Sequence, residues 1–315
     1  MRALHVPAAG APPQLSELPV PEPVEGTVLI KVKAAGLNAV DNAIAAGMMA
    51  EMAPHHYPLV LGRDAAGVVQ AVGAGVDHVR PGDEVVGHML FAPPIQAGTL
   101  AEYALLPAAA VMPKPAGLDF TRAAALPLAG AAALGAVDAV APEAGHRVLV
   151  IGASGGVGSY VVQLLAARGV TVIATAGSAD IDRVKGLGAT TVIDFTQGDV
   201  TEQVRTAHPD GVDALVDLIS YTPDGLPLDL VRKGGKVTST LGAADDQTLA
   251  ARGLSGSNVM AAPIREVVAP LAEQAAAGTL TIDVTTVLPL ESAAEGLATI
   301  ASGTARGKIV VTISD

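Results

Sequence analysis

The chain has 315 residues and a formal net charge of −12 at pH 7, and half of its residues are hydrophobic. Such a length and composition are typical of two globular domains with apolar cores and exclude a disordered chain. The acidic charge and the scarcity of aromatic residues argue against nucleic acids and anionic membranes as partners, and the absence of cysteine excludes disulfides and thiolate zinc sites.

The first part of the chain, residues 1–118, alternates short β-branched runs with turns rich in Pro and Gly. Strands are predicted at Thr27–Gly36, 67–76 and 98–106. This pattern favours an antiparallel, barrel-like domain. Residues 267–315, which end in a strand pattern at 308–313, are expected to return to the same domain.

Strands alternate with helices in residues 119–266. The first predicted strand begins at Val148, and the others are 170–174, 191–195, 214–219, 236–240 and 258–261. Six strands joined by helical crossovers predict a doubly wound parallel sheet of the Rossmann type.

The most informative motif follows the first of these strands, where residues 148–158 read VLVIGASGGVG. A buried strand, a glycine-rich turn and a helix in that order form a dinucleotide pyrophosphate site, because the helix N-terminus presents free N–H groups to the anion. The residues expected to bind the cofactor here are Ala153, Ser154, Gly155, Gly156, Val157 and Gly158. Ala153 replaces the first glycine of the usual fingerprint, and a turn without a ligand is the alternative.

The end of the second strand bears on the choice between NAD(H) and NADP(H). Residues 174–178 read ATAGS and lack the carboxylate that binds both ribose hydroxyls of NAD, so NADP(H) is favoured. The residues expected near its 2′-phosphate are Ala176, Gly177, Ser178 and Arg183. Asp180 and Asp182 oppose this assignment unless they serve as first-turn acids of the next helix.

Seven sequence blocks in a fixed order extend these observations over the whole chain. They are AAGLNAVDNAI at 34–44, LVLGRDAAGVVQAVGAGV at 59–76, PGDEVVG at 81–87, GTLAEYALL at 98–106, AALPLAGAAAL at 124–134, the glycine turn, and ARGKIVV at 305–311. Together they resemble the zinc-independent quinone oxidoreductase family, zeta-crystallin-like, of the medium-chain dehydrogenase/reductase superfamily. The resemblance implies a GroES-like domain, a Rossmann domain and NADPH as hydride donor.

The zinc-dependent relatives of that family use cysteine ligands and a Gly-His-Glu motif. This chain has no cysteine and reads Gly62-Arg63-Asp64 at that place, so no zinc site of that type is expected. The resemblance instead places Asn38 and Asp41 beside the nicotinamide, with capping of a helix as the alternative. The acids available to protonate a product are Tyr57, Tyr103, His88 and Asp64, none of which stands in a paired arrangement in the sequence. Tyr57 is the catalytic candidate among them. Packing is the alternative role for Tyr57 and for Tyr103, and solvent is the alternative proton source.

Further cofactor contacts follow from the same resemblance. It assigns Ile219, Ser220, Leu241 and Gly242 to the nicotinamide amide, Phe195 to the adenine, and Arg306 and Lys308 to the phosphates. A solvated surface is the alternative for Arg306 and Lys308. The acceptor pocket is expected to contain Met48, Met49, Tyr57, Met89, Leu90 and Phe91. Ala39 and Ala132 depart from the family pattern, which usually has proline and threonine at these positions.

The sequence therefore predicts an NADPH-dependent reductase of quinones or α,β-unsaturated carbonyls. Two alternatives remain, an enoyl-thioester reductase and a non-catalytic NADPH-binding protein on the same fold. A homodimer is implied by the resemblance. A cytoplasmic location is expected because the N-terminus lacks the apolar core of a signal peptide and no apolar run is long enough to span a bilayer.

Overall fold

The computed structural model describes residues 1–313, and this part of the chain contains sixteen β-strands and nine α-helices. The strands are β1 Arg2–Val6, β2 Gln14–Glu17, β3 Thr27–Gly36, β4 Leu59–Val60, β5 Asp64–Val72, β6 Glu84–His88, β7 Tyr103–Pro107, β8 Val111–Pro113, β9 Arg147–Ile151, β10 Thr171–Ala176, β11 Thr191–Asp194, β12 Val212–Asp217, β13 Val231–Ser239, β14 Ser255–Asn258, β15 Val284–Pro289 and β16 Lys308–Thr312. The helices are α1 Ala39–Ala45, α2 Phe120–Ala124, α3 Pro127–Val140, α4 Gly156–Ala167, α5 Ile181–Gly186, α6 Val200–Ala207, α7 Asp246–Ala251, α8 Arg265–Ala276 and α9 Ala293–Ala301.

The chain forms two compact units. The first contains Met1–Ala129 and the chain from Pro263 onward, and the second contains Gly130–Ala262. The boundaries expected at 118/119 and 266/267 therefore lie elsewhere in the structure. Residues 119–129 belong to the first unit because α2 packs so closely on β3 that a Cβ on Gly36 would lie 2.2 Å from the carbonyl oxygen of Ala124.

The first unit contains a three-stranded and a seven-stranded sheet. In the larger sheet the strand order is β15-β16-β3-β5-β6-β8, with β7 paired to β3. Its pairs are antiparallel except that of β15 with β16, which is parallel. Strand β3 has the predicted bounds Thr27–Gly36, and alternate residues such as Ile30 and Val32 enter the apolar core of this unit. The expected GroES-like domain is confirmed.

The second unit contains a six-stranded parallel sheet of order β11-β10-β9-β12-β13-β14. The predicted Rossmann topology is confirmed. The strand order reverses between β9 and β12, and ligands of such sheets bind where this reversal occurs. The last strand, predicted at 258–261, lies at 255–258 instead. Its four residues, SGSN, are exposed at the sheet edge, so no apolar periodicity marks them.

Candidate functional site

The glycine turn of the second unit forms a cradle at the carboxyl end of β9. Gly152 has φ +86°, a left-handed conformation that favours glycine, and Gly155 is the N-cap of α4. A Cβ on Gly158 would lie 2.2 Å from the carbonyl oxygen of Gly152 and 2.6 Å from the Cα of Ala153, so no larger residue fits. The helix therefore begins directly against the turn, and its N–H groups form a site that fits a pyrophosphate.

A carboxylate, Asp194, lies beside the predicted 2′-phosphate region, at the end of β11 and not of β10. The hydroxyl of Ser178 donates a 2.5 Å hydrogen bond to Oδ2 of Asp194, and Thr196 donates to Oδ1 from both its N–H and its hydroxyl. These hydrogen bonds, that of Ser178 first, lower the pKa of Asp194. Asp194 has no signal in the local sequence, because only the register that pairs it with Ala176 on the neighbouring strand brings it to this place.

Arg183 lies close to the glycine turn. Its guanidinium donates to the carbonyl oxygen of Ser154 at 2.9 Å and to Oδ1 of Asp180 at 3.0 Å. Both Asp180 and the turn therefore fix the position of this cation, and its expected role near a phosphate stays a prediction.

The ends of β12 and β13 carry the residues predicted to meet the nicotinamide. Buried Asp217 accepts hydrogen bonds from the N–H groups of Ile219 and Ser220 at 3.2 and 2.7 Å, and burial raises its pKa. The N–H of Leu241 donates to Oγ of Ser239. The N–H groups of Ile219, Ser220 and Leu241 are therefore engaged by side chains of the chain itself. Gly242 lies three residues beyond the end of β13, Phe195 directly follows β11 and is 53% exposed, and the predicted contacts of both with the cofactor stay predictions.

A buried polar cluster occupies the first unit at the place of the predicted catalytic residues. We define it as Asn38, Asp41, Arg63, Asp64, His88 and Lys308, each at most 8% exposed. Oδ2 of Asp64 accepts from Nδ2 of Asn38 at 2.9 Å, and Oδ1 lies 2.6 Å from Nδ1 of His88. The N–H of Leu128 also points to this carboxylate, at 3.2 Å. Three groups from different parts of the chain therefore contact the Asp64 carboxylate: the Asn38 amide, the His88 ring and the Leu128 N–H.

The pairing of Asp64 with His88 was missed in the sequence. The two residues are 24 positions apart, but they are directly opposite on antiparallel strands β5 and β6. Only the strand register brings them together. The Gly62-Arg63-Asp64 triplet marks Asp64 as a residue of interest in the sequence, but it does not indicate that His88 is the partner of the Asp64 carboxylate.

The side chains of Asn38 and Asp41 make different contacts: that of Asp41 caps helix α1, and that of Asn38 lies in the polar cluster. Oδ2 of Asp41 accepts from the N–H of Asn38 at 2.8 Å, which is the capping role at the start of α1. The Asn38 side chain instead joins Asp64 and Lys308. Burial raises the pKa of Asp41 to about 7, and its Oδ1 has no hydrogen-bond partner among residues 1–313.

Lys308 corrects a prediction. Its ammonium is buried and donates to Oδ1 of Asn38 at 2.6 Å and to the carbonyl oxygen of Leu37 at 2.8 Å, so it lies neither on a solvated surface nor free for a cofactor phosphate. Burial lowers its pKa, and the charges of Asp64 and Asp41 oppose that shift. Arg306 is exposed, and its predicted role stays a prediction.

Tyr57, the catalytic candidate, is half-buried and packs against the apolar core of the first unit. Its ring meets that of His55 edge to face, with centroids 6.5 Å apart. Its catalytic role stays a prediction. Of the expected acceptor pocket, Met48 is exposed and Met89 is buried, while Phe91 covers the guanidinium of Arg63 at 4.8 Å.

Residues 1–313 were compared with two simple requirements, those of a metal site and those of a membrane span, and meet neither. They contain no cluster of three His, Cys, Asp or Glu side chains arranged to hold a metal ion. Within the same residues, every helix is too short or too polar to cross a membrane.

Sequence profiles of three families match the chain. The profile described as Alcohol dehydrogenase GroES-like domain matches residues 24–116, Zinc-binding dehydrogenase matches 187–311, and NAD dependent epimerase/dehydratase family matches 148–225.

Similar proteins of known name cover most of the chain. A chloroplast envelope quinone oxidoreductase homolog of Arabidopsis thaliana is 31% identical over 94% of this chain and 92% of its own length. The chloroplastic NADPH-dependent alkenal/one oxidoreductase of the same plant is 37% identical over 72% of this chain and 58% of its own. The chain spans little more than half the length of several curated relatives that it matches. The structure of the quinone oxidoreductase from Coxiella burnetii matches with a TM-score of 0.89 and 27% identity, over 100% of this chain and 99% of that one.

Proposed function

Because the chain belongs to the quinone oxidoreductase group of the medium-chain dehydrogenase/reductase superfamily, we propose that it reduces a quinone or an α,β-unsaturated carbonyl compound with a nicotinamide dinucleotide. The glycine cradle at the end of β9 carries this proposal, because α4 begins directly against the turn, where a Cβ on Gly158 would meet backbone, and free N–H groups at such a helix start bind a pyrophosphate. A reduced nicotinamide, when bound, supplies a hydride.

The residues that hold the dinucleotide lie in the second unit. We propose that the turn residues 153–158 and the N-terminus of α4 bind the pyrophosphate. The strand-end residues Phe195, Ile219, Ser220, Leu241 and Gly242 bind the adenine and nicotinamide ends. Asp217 accepts hydrogen bonds from the N–H groups of Ile219 and Ser220, which fixes the loop at the carboxyl end of β12, where such sheets bind ligands.

We propose NADPH as the preferred form, because β10 ends in Ala176 without an acid and a relative is named for NADPH. Asp194 works against this preference, since a carboxylate beside Ser178 repels a 2′-phosphate. Asp194→Asn should therefore raise the affinity for NADPH and leave that for NADH nearly unchanged, as measured by calorimetric titration. An unchanged ratio of the two affinities would mean that Asp194 does not face the 2′ position.

Arg63 and Asp64 of the polar cluster belong to the triplet that stands in the sequence where zinc-dependent relatives have the Gly-His-Glu motif of their zinc site. The chain has no cysteine to complete such a site, and a hydrogen-bonded set of Asn38, Asp64, His88 and Lys308 replaces it. We propose that catalysis is zinc-independent and that this cluster sets the charge around the acceptor. Asn38 and Asp41 are its proposed functional residues, and a role of Tyr57 as proton donor would appear as a roughly 100-fold loss of turnover in Tyr57→Phe.

A panel of acceptors tests the proposed function. Oxidation of NADPH is followed at 340 nm with 1,4-benzoquinone, 9,10-phenanthrenequinone, an enone and an enoyl thioester. We expect turnover with the quinones or the enone, whereas turnover with the thioester alone would establish the other reductase. Tight NADPH binding without oxidation by any acceptor would refute the proposal. A homodimer and a cytoplasmic location are further proposals, tested by light scattering and by cell fractionation.

A further inference from the structure

Arg63 is a buried cation whose hydrogen-bonding groups are largely unused. Its side chain is 2% exposed, and its Nη1 lies 3.5 Å from the carbonyl oxygen of Met89, at the limit of a hydrogen bond. Nε and Nη2 have no hydrogen-bond partner among residues 1–313. The Phe91 ring lies over the guanidinium carbon at 4.8 Å and contributes a cation–π contact.

Such an arrangement is costly for a protein that uses Arg63 only for its structure. A guanidinium removed from water is ordinarily paired with a carboxylate or fully hydrogen-bonded. Here the nearby unpartnered atoms belong to Asp41 and His55, and both interact with Arg63 electrostatically without a hydrogen bond to it. The N–H groups at Nε and Nη2 of Arg63 are therefore buried donors that could hydrogen-bond to an oxygen of a ligand.

The chemistry of the acceptors supplies such an oxygen. Addition of a hydride to a carbon of a quinone or an enone breaks the carbon–carbon or carbon–oxygen π bond and leaves the electron pair on an oxygen, which stays anionic until it takes a proton. Preorganised donors directed at that oxygen stabilise the charge as it forms. A delocalised phenolate or enolate also suits a weakly hydrated guanidinium better than a lysine ammonium.

We propose that the guanidinium of Arg63 is an oxyanion-binding site for the enolate or quinol oxygen of the reduced acceptor, and that Phe91 covers it in the absence of that ligand. The Phe91 ring is 42% exposed and lies just after β6, so its movement exposes Arg63 without breaking a strand. This inference rests on the proposed function, and it deepens that function by naming the group that contacts the acceptor.

The test uses 4-nitrophenol, a phenol whose anion absorbs visible light, bound to the full-length protein without cofactor. Its pKa is measured by absorbance against pH in the presence of saturating wild type, Arg63→Gln, Arg63→Lys, Phe91→Ala and Arg80→Gln. Arg80 is the matched control because its side chain is 87% exposed. In the wild type we expect the phenolate to bind about 10- to 100-fold more tightly than the phenol, which lowers the pKa of the probe by about one to two units.

Each variant has a defined outcome. Arg63→Gln should abolish the preference for the phenolate, Arg63→Lys should retain part of it, and Arg80→Gln should match the wild type. Phe91→Ala should preserve or increase the preference, and it keeps the proposal testable if Arg63→Gln does not fold. An equal preference in wild type and Arg63→Gln, its loss in Phe91→Ala, or no preference in the wild type overturns the proposal.

Turnover separates the two proposals. Phenolate preference in the wild type without reduction of any acceptor would refute only the proposed function. Reduction of quinones without a phenolate preference would refute only the role of Arg63. Where both hold, Arg63→Gln should lower kcat more than it raises KM, because the oxyanion exists only after the hydride has been transferred.

Discussion

The buried carboxyl group of Asp41 makes the stability of the first unit depend on pH. Its pKa is raised from 3.8 to about 7, mainly by burial and also by the charge of Asp64, while the N–H of Asn38, Arg63 and Lys308 oppose the shift. The folded chain therefore keeps a proton on Asp41 at pH values where the unfolded chain has lost it. Stability from this group is fully present below pH 3.8 and is lost as the pH rises to about 7.

The magnitude follows from the two pKa values. A difference of about three units at about 1.4 kcal/mol per unit gives about 4 kcal/mol, spread over the interval from pH 4 to pH 7. Asp41→Asn removes the titration and keeps an oxygen that accepts the N–H of Asn38. The variant should match the wild type in stability near pH 4 and exceed it by about 4 kcal/mol at pH 8.

Urea unfolding followed by near-ultraviolet circular dichroism, at one-unit steps from pH 4 to pH 8, measures this difference. The exposed Asp224→Asn variant serves as the control and should give a curve parallel to that of the wild type. A difference between Asp41→Asn and wild type that stays constant with pH would show that Asp41 is ionised in the folded chain throughout this range.

Three further substitutions have defined outcomes. Gly158→Ala places a methyl group against the backbone of the turn, so it should destabilise the second unit by about 1–3 kcal/mol and abolish NADPH binding. In the control, Gly186→Ala, the methyl group enters open space and binding should stay intact. Thermal unfolding measures the stability of both variants, and calorimetry measures their NADPH binding. His88→Leu leaves the Asp64 carboxylate without its ring partner and should cost about 3 kcal/mol of unfolding free energy in urea, a result that a loss below 1 kcal/mol would contradict. Lys308→Met removes a cation beside two carboxylates and should steepen the loss of stability between pH 4 and pH 7; an unchanged slope would contradict its electrostatic role.

Features that depend on a local residue pattern could be predicted from the sequence. Contacts that depend on the register between paired strands could not. Strand β3 was predicted with its observed bounds because it is a largely apolar, β-branched run that ends at a glycine, and the glycine turn was recognised because strand, turn and helix are contiguous. The Asp64–His88 pair and the proximity of Asp194 to Ser178 arise between neighbouring strands, so no local pattern contains them. Lys308 was misplaced for the same reason.

The position of β16 affects the order in which the first unit can be completed. This strand pairs with β3 on one side and β15 on the other, and its first residue, Lys308, reaches Asn38 across 270 residues of sequence. Until the chain has been synthesised that far, the two carboxylates of the cluster have no ammonium to offset them. The second unit, continuous from residue 130 to 262, is available to fold earlier. The cluster can be buried with its ammonium in place only after β16 has paired with β3, two strands that are far apart in the sequence. Burial of the two carboxylates before that step is electrostatically unfavourable.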